Sequence, residues 1–396
     1  MINKISQPAN SSYPILRFHE FAEKWQSKEL GDIAVFLKGK GIAKQDISED
    51  GKYKCIRYGE LYTDYREIIS IVKSRTNINP EDSFSSQAND LLIPSSGETA
   101  IDIATVSCVP EDNILLSGDL NIIRLQKDNC GNFFSQYLTN FCKTKIAKLA
   151  QGNAVVHLYA SQLKKLKINT PSAQEQRNIG EFLSSIDSWV GNLRSQSEAL
   201  SSYKKSITQK IFSQEIRFKG ENGEVYPEWK EMALGDILDY EQPTKYIVQS
   251  TEYNDKFRIP VLTAGKTFIL GYTDETDGIC KDNLPVIIFD DFTTTSQYVD
   301  FPFKVKSSAM KILRSKNNQS IKLLYELIQT IKYQIGGHGR HWISKYSKIR
   351  IQIPSLGEQI KIANFLTSID KSIESKQNQI KNAEIWKKGL IQRMFV

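Results

Sequence analysis

The stretch PSAQEQRNIGEFLSSID (Pro171–Asp187) returns as PSLGEQIKIANFLTSID (Pro354–Asp370), 183 residues later, with ten of seventeen positions identical and no gap. In each copy a Pro precedes Ser-x-x-Glu, which predicts a helix start with a capping box. Apolar residues then recur every three or four positions. The first copy runs Ile179, Phe182, Ile186, Val190, Leu193, Leu200, Tyr203, Ile207, Ile211. The second runs Ile362, Phe365, Ile369, Ile373, Ile380, Ala383, Trp386, Leu390, Met394. This is an amphipathic seam near the heptad period. No Pro interrupts either helix; Gly191 and Gly389 each cost about 1 kcal/mol. Roughly forty residues at 1.5 Å each make a rod of ~60 Å. A rod with one apolar stripe cannot bury it alone. Either each helix lies on its own globular block, or the two copies pack against one another. The stripe is longer than one small block can cover, so the expectation is an antiparallel pair. Its blocks would then lie at opposite ends, related by a pseudo-twofold axis.

Outward from this stretch the self-match widens. Leu166–Phe212 aligns without gaps on Ile349–Phe395. Upstream, EKWQSKELGDI (Glu23–Ile33) returns as PEWKEMALGDI (Pro227–Ile237), with Trp25 on Trp229, and each is preceded by an Arg-Phe pair, Arg17-Phe18 and Arg217-Phe218. The intervening blocks, 34–150 and 238–334, share almost no identity, yet their outlines agree. Each has an apolar strand (DLLIPSS, LPVIIFDD), an alternating strand (DLNIIRL, SAMKILR) and a helical pattern (NFFSQYLTNFCKTKIAKL, IKLLYELIQTIKYQI). A Gly- and His-bearing loop follows (AQGNAVVHLY, GGHGRHW), then an extended run into the rod. The predicted fold class is α/β (α+β): two globular domains and two long antiparallel helices forming a coiled-coil spacer. The predicted boundaries are 1–170, 171–214, 215–353 and 354–396.

The 396 residues, 40% hydrophobic and 10% aromatic, suit two or three globular domains rather than a disordered chain. No run reaches the ~18–20 consecutive apolar residues of a membrane span, and MINKISQPANSSYPIL lacks a signal-peptide core. The expected location is the cytoplasm. Five scattered cysteines with no CxxC pair argue against a disulfide framework or structural zinc site. A net charge of +7 is compatible with a polyanionic partner but does not require one.

The doubled "Arg-Phe … Trp … LGDI" opening and the doubled P-S-x-x-EQ-x-x-I-x-x-FL-x-SID helix start resemble the specificity subunit of type I restriction-modification systems, across essentially the whole chain. That resemblance implies two target-recognition domains, each reading one half of a bipartite site in double-stranded DNA. It implies that the paired helices set the spacer between half-sites and dock two methyltransferase (modification) subunits, with restriction/translocase subunits joining that core. It also implies no catalysis and no cofactor on this chain; S-adenosylmethionine, ATP and Mg would sit on the partner subunits. A coiled-coil scaffold binding protein partners through its two blocks is the alternative.

The residues themselves supply no catalytic centre. There is no GxxxxGK[ST] phosphate loop. Paired carboxylates at Asp290-Asp291 lack the further acidic and Lys partners of a Mg-dependent nuclease, and His338 and His341 lack further metal ligands. The candidate DNA contacts of the first block are Lys38, Lys40, Lys44 and Arg57 on a basic edge, Ser95 and Ser96 in IPSSGETA, and Gln151, Asn153 and His157 in the loop before the rod. Those of the second block are Lys266, then Asp291, Thr293, Thr294 and Gln297 after an apolar strand, and His338, Arg340 and His341 in GGHGRHW. Lys and Arg suit phosphates; Arg also reads guanine, Asp accepts from cytosine N4, and hydroxyls and amides meet base edges or phosphates. Each also has an ordinary reading as a solvated turn or strand end. Tyr159 and Trp342 align and are candidates for core.

Overall fold

The computed structural model describes residues 13–263, 267–332 and 340–396. It divides into two compact units, the chain up to Ser195 with Gln377–Val396, and Gln196–Lys376. Both long helices are present, Ala173–Phe212 and Leu356–Met394. Each contributes one half to each unit.

In the first unit an antiparallel sheet has the order Ala34–Lys38, Leu120–Leu125, Leu91–Pro94, Ser107–Cys108. The apolar run Leu91-Leu92-Ile93 sits centrally because both sheet faces are covered. Leu91 and Ile93 pack with Phe133, Tyr137 and Leu183, while Leu92 packs with Ile56, Leu116 and Ile122 on the other face. Gln26–Glu29 pairs with Lys167–Thr170, closing the unit beside the helix start. The helical pattern expected over 132–149 is broken. Gly131–Gln136 is α-helix, Tyr137–Phe141 a π turn, and Lys143–Ala147 α-helix again. The π turn stacks Tyr137 on both Phe133 and Phe141 and places all three against Phe395.

The second unit repeats this frame. Its sheet has the order Leu238–Glu241, Met310–Ser315, Val286–Asp290, Ser296–Val299. Lys230–Ala233 pairs with Arg350–Ile353, and a helix spans Ile321–Thr330, shorter than its sequence pattern.

The repeated motifs are explained by repeated contacts. Glu175 is buried; Arg17 donates two hydrogen bonds to it, both 2.7 Å, and Trp25 Nε1 donates a third. Glu358 is buried likewise, with Arg217 at 2.8 and 2.9 Å and Trp229 Nε1 at 3.0 Å. The expected capping boxes are therefore corrected. Ser172 Oγ does accept from Glu175 N–H, but Ser355 Oγ has no hydrogen-bond partner among the described residues. Both glutamates turn inward because a half-buried guanidinium fork offers charge-assisted bonds that a backbone N–H cannot match. The neighbouring glutamines also act alike. Gln176 donates to Pro171 O and accepts from Cys130 N–H. Gln359 donates to Pro354 O and accepts from Ser320 N–H. Phe18 meets Phe182 edge-on, as Phe218 meets Phe365.

The helices pair antiparallel within each unit. In the first, Ile179, Ile186 and Val190 are buried in one cluster with Ala383, Ile391 and Met394, with Phe182 and Ile380 packed on it. In the second, Ile211 is buried with Ile362 and Ile369, and Ile207, Phe365 and Ile373 pack around them. Leu193 is buried as expected. Two seam residues are exposed. Tyr203 is 50% exposed and Trp386 48% exposed, while Leu183, Leu366 and Ile391 are buried. A 3.6-residue turn drifts off a strict heptad over ten turns, so the buried stripe shifts to neighbouring positions.

Candidate nucleic-acid interface

In the first unit one end of the sheet gathers most of the candidates. Lys38 lies opposite Asn121, and Pro94 opposite Leu120, so 38–40 and 95–96 emerge together. The chain from Leu116 to Leu120 ties them: Gly39 N–H donates to Leu120 O, Lys40 N–H to Leu116 O, and Ser95 N–H to Asp119 O. Arg57 follows the strand whose Ile56 carbonyl accepts from Ser117 N–H. Lys38, Lys40 and Lys44 are exposed; Arg57 is half-buried and paired with the buried Glu60 at 3.1 Å. Gly39 is required, since a Cβ there would fall 1.9 Å from Ser117 O.

The loop before the first long helix docks at the same end. Val156-His157 pairs with Ser96-Gly97, Gln151 and His157 exchange backbone hydrogen bonds, and Leu158 N–H donates to Ser95 O. Gln151, Asn153 and His157 are exposed, whereas Ser96 is buried beneath the loop. Alternation points Val156 and Leu158 inward and Val155, His157 and Tyr159 outward, with His157 stacked on Tyr159. Tyr159 is thus a surface residue. Burial raises the Tyr62 phenol pKa, with Tyr58, Glu98 and Asp102 adding to the effect.

The second unit uses the same anchor points with different chemistry. Asp291 occupies the place of Ser95: its N–H donates to Ala309 O and its carbonyl accepts from His341 N–H. Its side chain corrects the expectation of a base contact. Asp291 is 1% exposed, accepts from Trp342 N–H at 2.8 Å, and faces Lys311 Nζ at 3.5 Å. His341 and Trp342 are buried too. What reaches the surface is the turn on one side, Phe292, Thr293 and Thr294, and Arg340 and Ile343 on the other. Asp290 Oδ1 accepts from Phe292 and Thr293 N–H, which shapes that turn, and Thr294 holds a positive φ of 57°. Gln297 is half-buried on the following strand. Lys266 and His338 lie outside the described residues.

Sequence reasoning missed the exposed Val155, Phe292 and Ile343. It also missed the buried anchors Asn121, whose side chain donates to Leu158 O, and Lys311, which faces Asp291. For Val155 the period-two alternation was a usable signal. For Lys311, in the middle of an apolar strand, only the residue's oddity was. Among the described residues no group of three or more His, Cys, Asp or Glu is placed to hold a metal ion. At one end of the sheet the first unit exposes Lys38, Lys40, Lys44, Gln151, Asn153 and His157, and the second exposes Phe292, Thr293, Arg340 and Ile343. Lysine, arginine, amide and hydroxyl groups are the side chains that can meet phosphates and base edges.

The family model described as type I restriction modification DNA specificity domain matches residues 22–211 and 226–384. The specificity subunit of the Escherichia coli type I restriction enzyme EcoR124I/EcoR124II is 54% identical over 132 residues, which is 32% of each chain. This chain therefore spans about a third of that relative. A putative type I restriction enzyme MjaX specificity subunit from Methanocaldococcus jannaschii is 28% identical over 94% of this chain and 93% of its own. In fold, the crystal structure of a type I restriction-modification S subunit from M. genitalium matches with a TM-score of 0.70 at 17% identity, covering 97% of this chain and 99% of that one.

Proposed function

The chain belongs to the type I restriction modification DNA specificity domain family, and from that premise we propose that it is the DNA-reading, non-catalytic subunit of a methyltransferase complex, with each unit reading one half of a bipartite duplex site. The recognition domains are residues 1–170 and 215–353; the helical segments 171–214 and 354–396 set the distance between half-sites. Two methyltransferase subunits carrying S-adenosylmethionine dock on this chain, and restriction/translocase subunits using ATP and Mg join them.

One observation carries the proposal. The frames of the two units share strand order, the buried Arg–Glu–Trp contact and anchor points, while the exposed tips differ: Lys38, Lys40, Asn153 and His157 in one, Phe292, Thr293 and Arg340 in the other. A repeated scaffold with unlike tips suits two unlike half-sites. Lys38, Lys40 and Lys44 contact phosphates, with Arg57 held beside them by Glu60. Gln151, Asn153, His157, Arg340 and the Thr293 turn approach base edges, with Ser95 and Gln297 alongside; Lys266 and His338 are proposed DNA contacts from their sequence alone.

The test is co-expression of the chain with its methyltransferase partners, followed by sequencing of modified bases in host DNA. The expected result is methylated adenine on each strand of a motif with two unlike halves and a fixed gap. A stable complex that leaves the DNA unmodified overturns the proposal.

A further inference from the structure

Lys311 is 0% exposed near the start of the central strand Met310–Ser315, and Asp291, 1% exposed, directly follows the neighbouring strand Val286–Asp290. Their charged atoms face one another at 3.5 Å, and Lys311 Nζ also lies over the Tyr240 ring. A buried ion pair is expensive to desolvate, and apolar residues of similar volume would serve stability as well or better. This one sits where two surface segments meet. Asp291 precedes Phe292 and Thr293 in the chain, and its carbonyl and carboxylate accept from His341 and Trp342 N–H, next to Arg340. In the first unit the same junction is neutral: Ser95 takes the place of Asp291, and the buried Asn121 donates to Leu158 O.

We infer that Asp291 and Lys311 form an ionic clamp that positions Arg340 and the Thr293 turn relative to each other, and so set specificity in the second unit only. Asp291 is a positioning residue. It touches no DNA, but its carboxylate fixes the backbone from which Arg340 projects. Lys311 holds that carboxylate in the one orientation that faces Trp342 N–H. The inference rests on the proposed function, since it assigns the clamp to the second half-site.

The test uses the full chain with its methyltransferase partners. Methylation of the cognate duplex is compared with that of duplexes carrying one wrong base in the first or the second half-site. D291S and K311N are each expected to lower discrimination at the second half-site by about tenfold and to leave the first within about twofold. The double variant D291S/K311N copies the neutral pair of the first unit and is expected to recover discrimination to within about threefold of wild type. Equal loss at both half-sites, no loss, or a double variant no better than the worse single overturns the clamp. If the single variants yield no soluble complex, recovery in the double decides the matter alone. Failure of the functional reading shows separately, because the wild-type complex would then discriminate at neither half-site.

Discussion

Lys387 Nζ lies 2.6 Å from Asp187 Oδ1, joining the second long helix to the first. The repeat-equivalent pair, with the helices exchanged, is Lys204 with Asp370 at 2.7 Å. The same two positions of the repeat thus make the same bond in each unit. Their surroundings differ. Asp187 receives a hydrogen bond from Gln136 and has Glu67 as a like charge, whereas Asp370 also meets Lys322 at 2.8 Å. Burial raises the Asp187 pKa, and Lys387 only partly offsets it. Burial acts on Asp370 too, but its bonds to Lys204 and Lys322 outweigh it and hold that carboxyl below its usual value.

The two aspartates consequently differ in how they link stability to pH. A depressed carboxyl contributes stability above its ordinary value of about 4, and loses it as pH falls through the lower folded value. A raised one contributes only while protonated and loses that contribution as pH rises through the folded value. D370N is expected to destabilise the chain at neutral pH, with the effect shrinking below about pH 4. D187N is expected to change neutral-pH stability less. Urea unfolding of both variants between about pH 3 and pH 7 checks this.

Removing the latch arginines leaves a carboxylate buried with only a Trp N–H. R17A and R217A are each expected to cost about 3 kcal/mol. W25F and W229F forfeit one hydrogen bond and a ring edge, and about 1–2 kcal/mol. Thermal or denaturant unfolding of the four variants should rank them in that order; arginine variants as mild as the tryptophan ones would refute the latch.

Phosphate and base contacts separate by salt. The K38A/K40A variant is expected to weaken duplex binding similarly across sequences. It should also flatten the log K against log salt plot by about 0.9 for each phosphate that is no longer neutralised. R340A is expected to relax one half-site by about 1–3 kcal/mol with little change of slope. Binding titrations across a salt series distinguish them.

Inserting one heptad at repeat-equivalent points of both long helices lengthens each by about 10 Å. The preferred gap between half-sites is then expected to grow, by at most about three base pairs at 3.4 Å per pair. Modified-base sequencing of the host DNA reports the gap directly, and an unchanged gap contradicts the ruler role.

Much of this was legible in the chain because the repeat is written twice. The helix starts, the Trp25 and Trp229 match and the paired Arg-Phe motifs marked residues under one shared constraint, although not what that constraint was. The central strands were legible because a run such as Leu91-Leu92-Ile93 stays dry only with both faces covered. The DNA-facing loops were harder. Ser96, Asp291 and His341 have polar side chains in loop-like sequence, and composition alone favours exposure.

The sequence by itself determined two long helices, their starting points, the repeated frame and the family, because those depend on local periodicity and on comparing the chain with itself. Only the tertiary structure decided the roles of individual polar residues. Glu175 turned from cap to latch because Arg17, 158 residues away, lies beside it. Asp291 faces inward because Lys311 and the Trp342 backbone meet it there. Whether a charge is solvated or paired depends on neighbours that the fold brings together, and spacing along the chain carries no record of them.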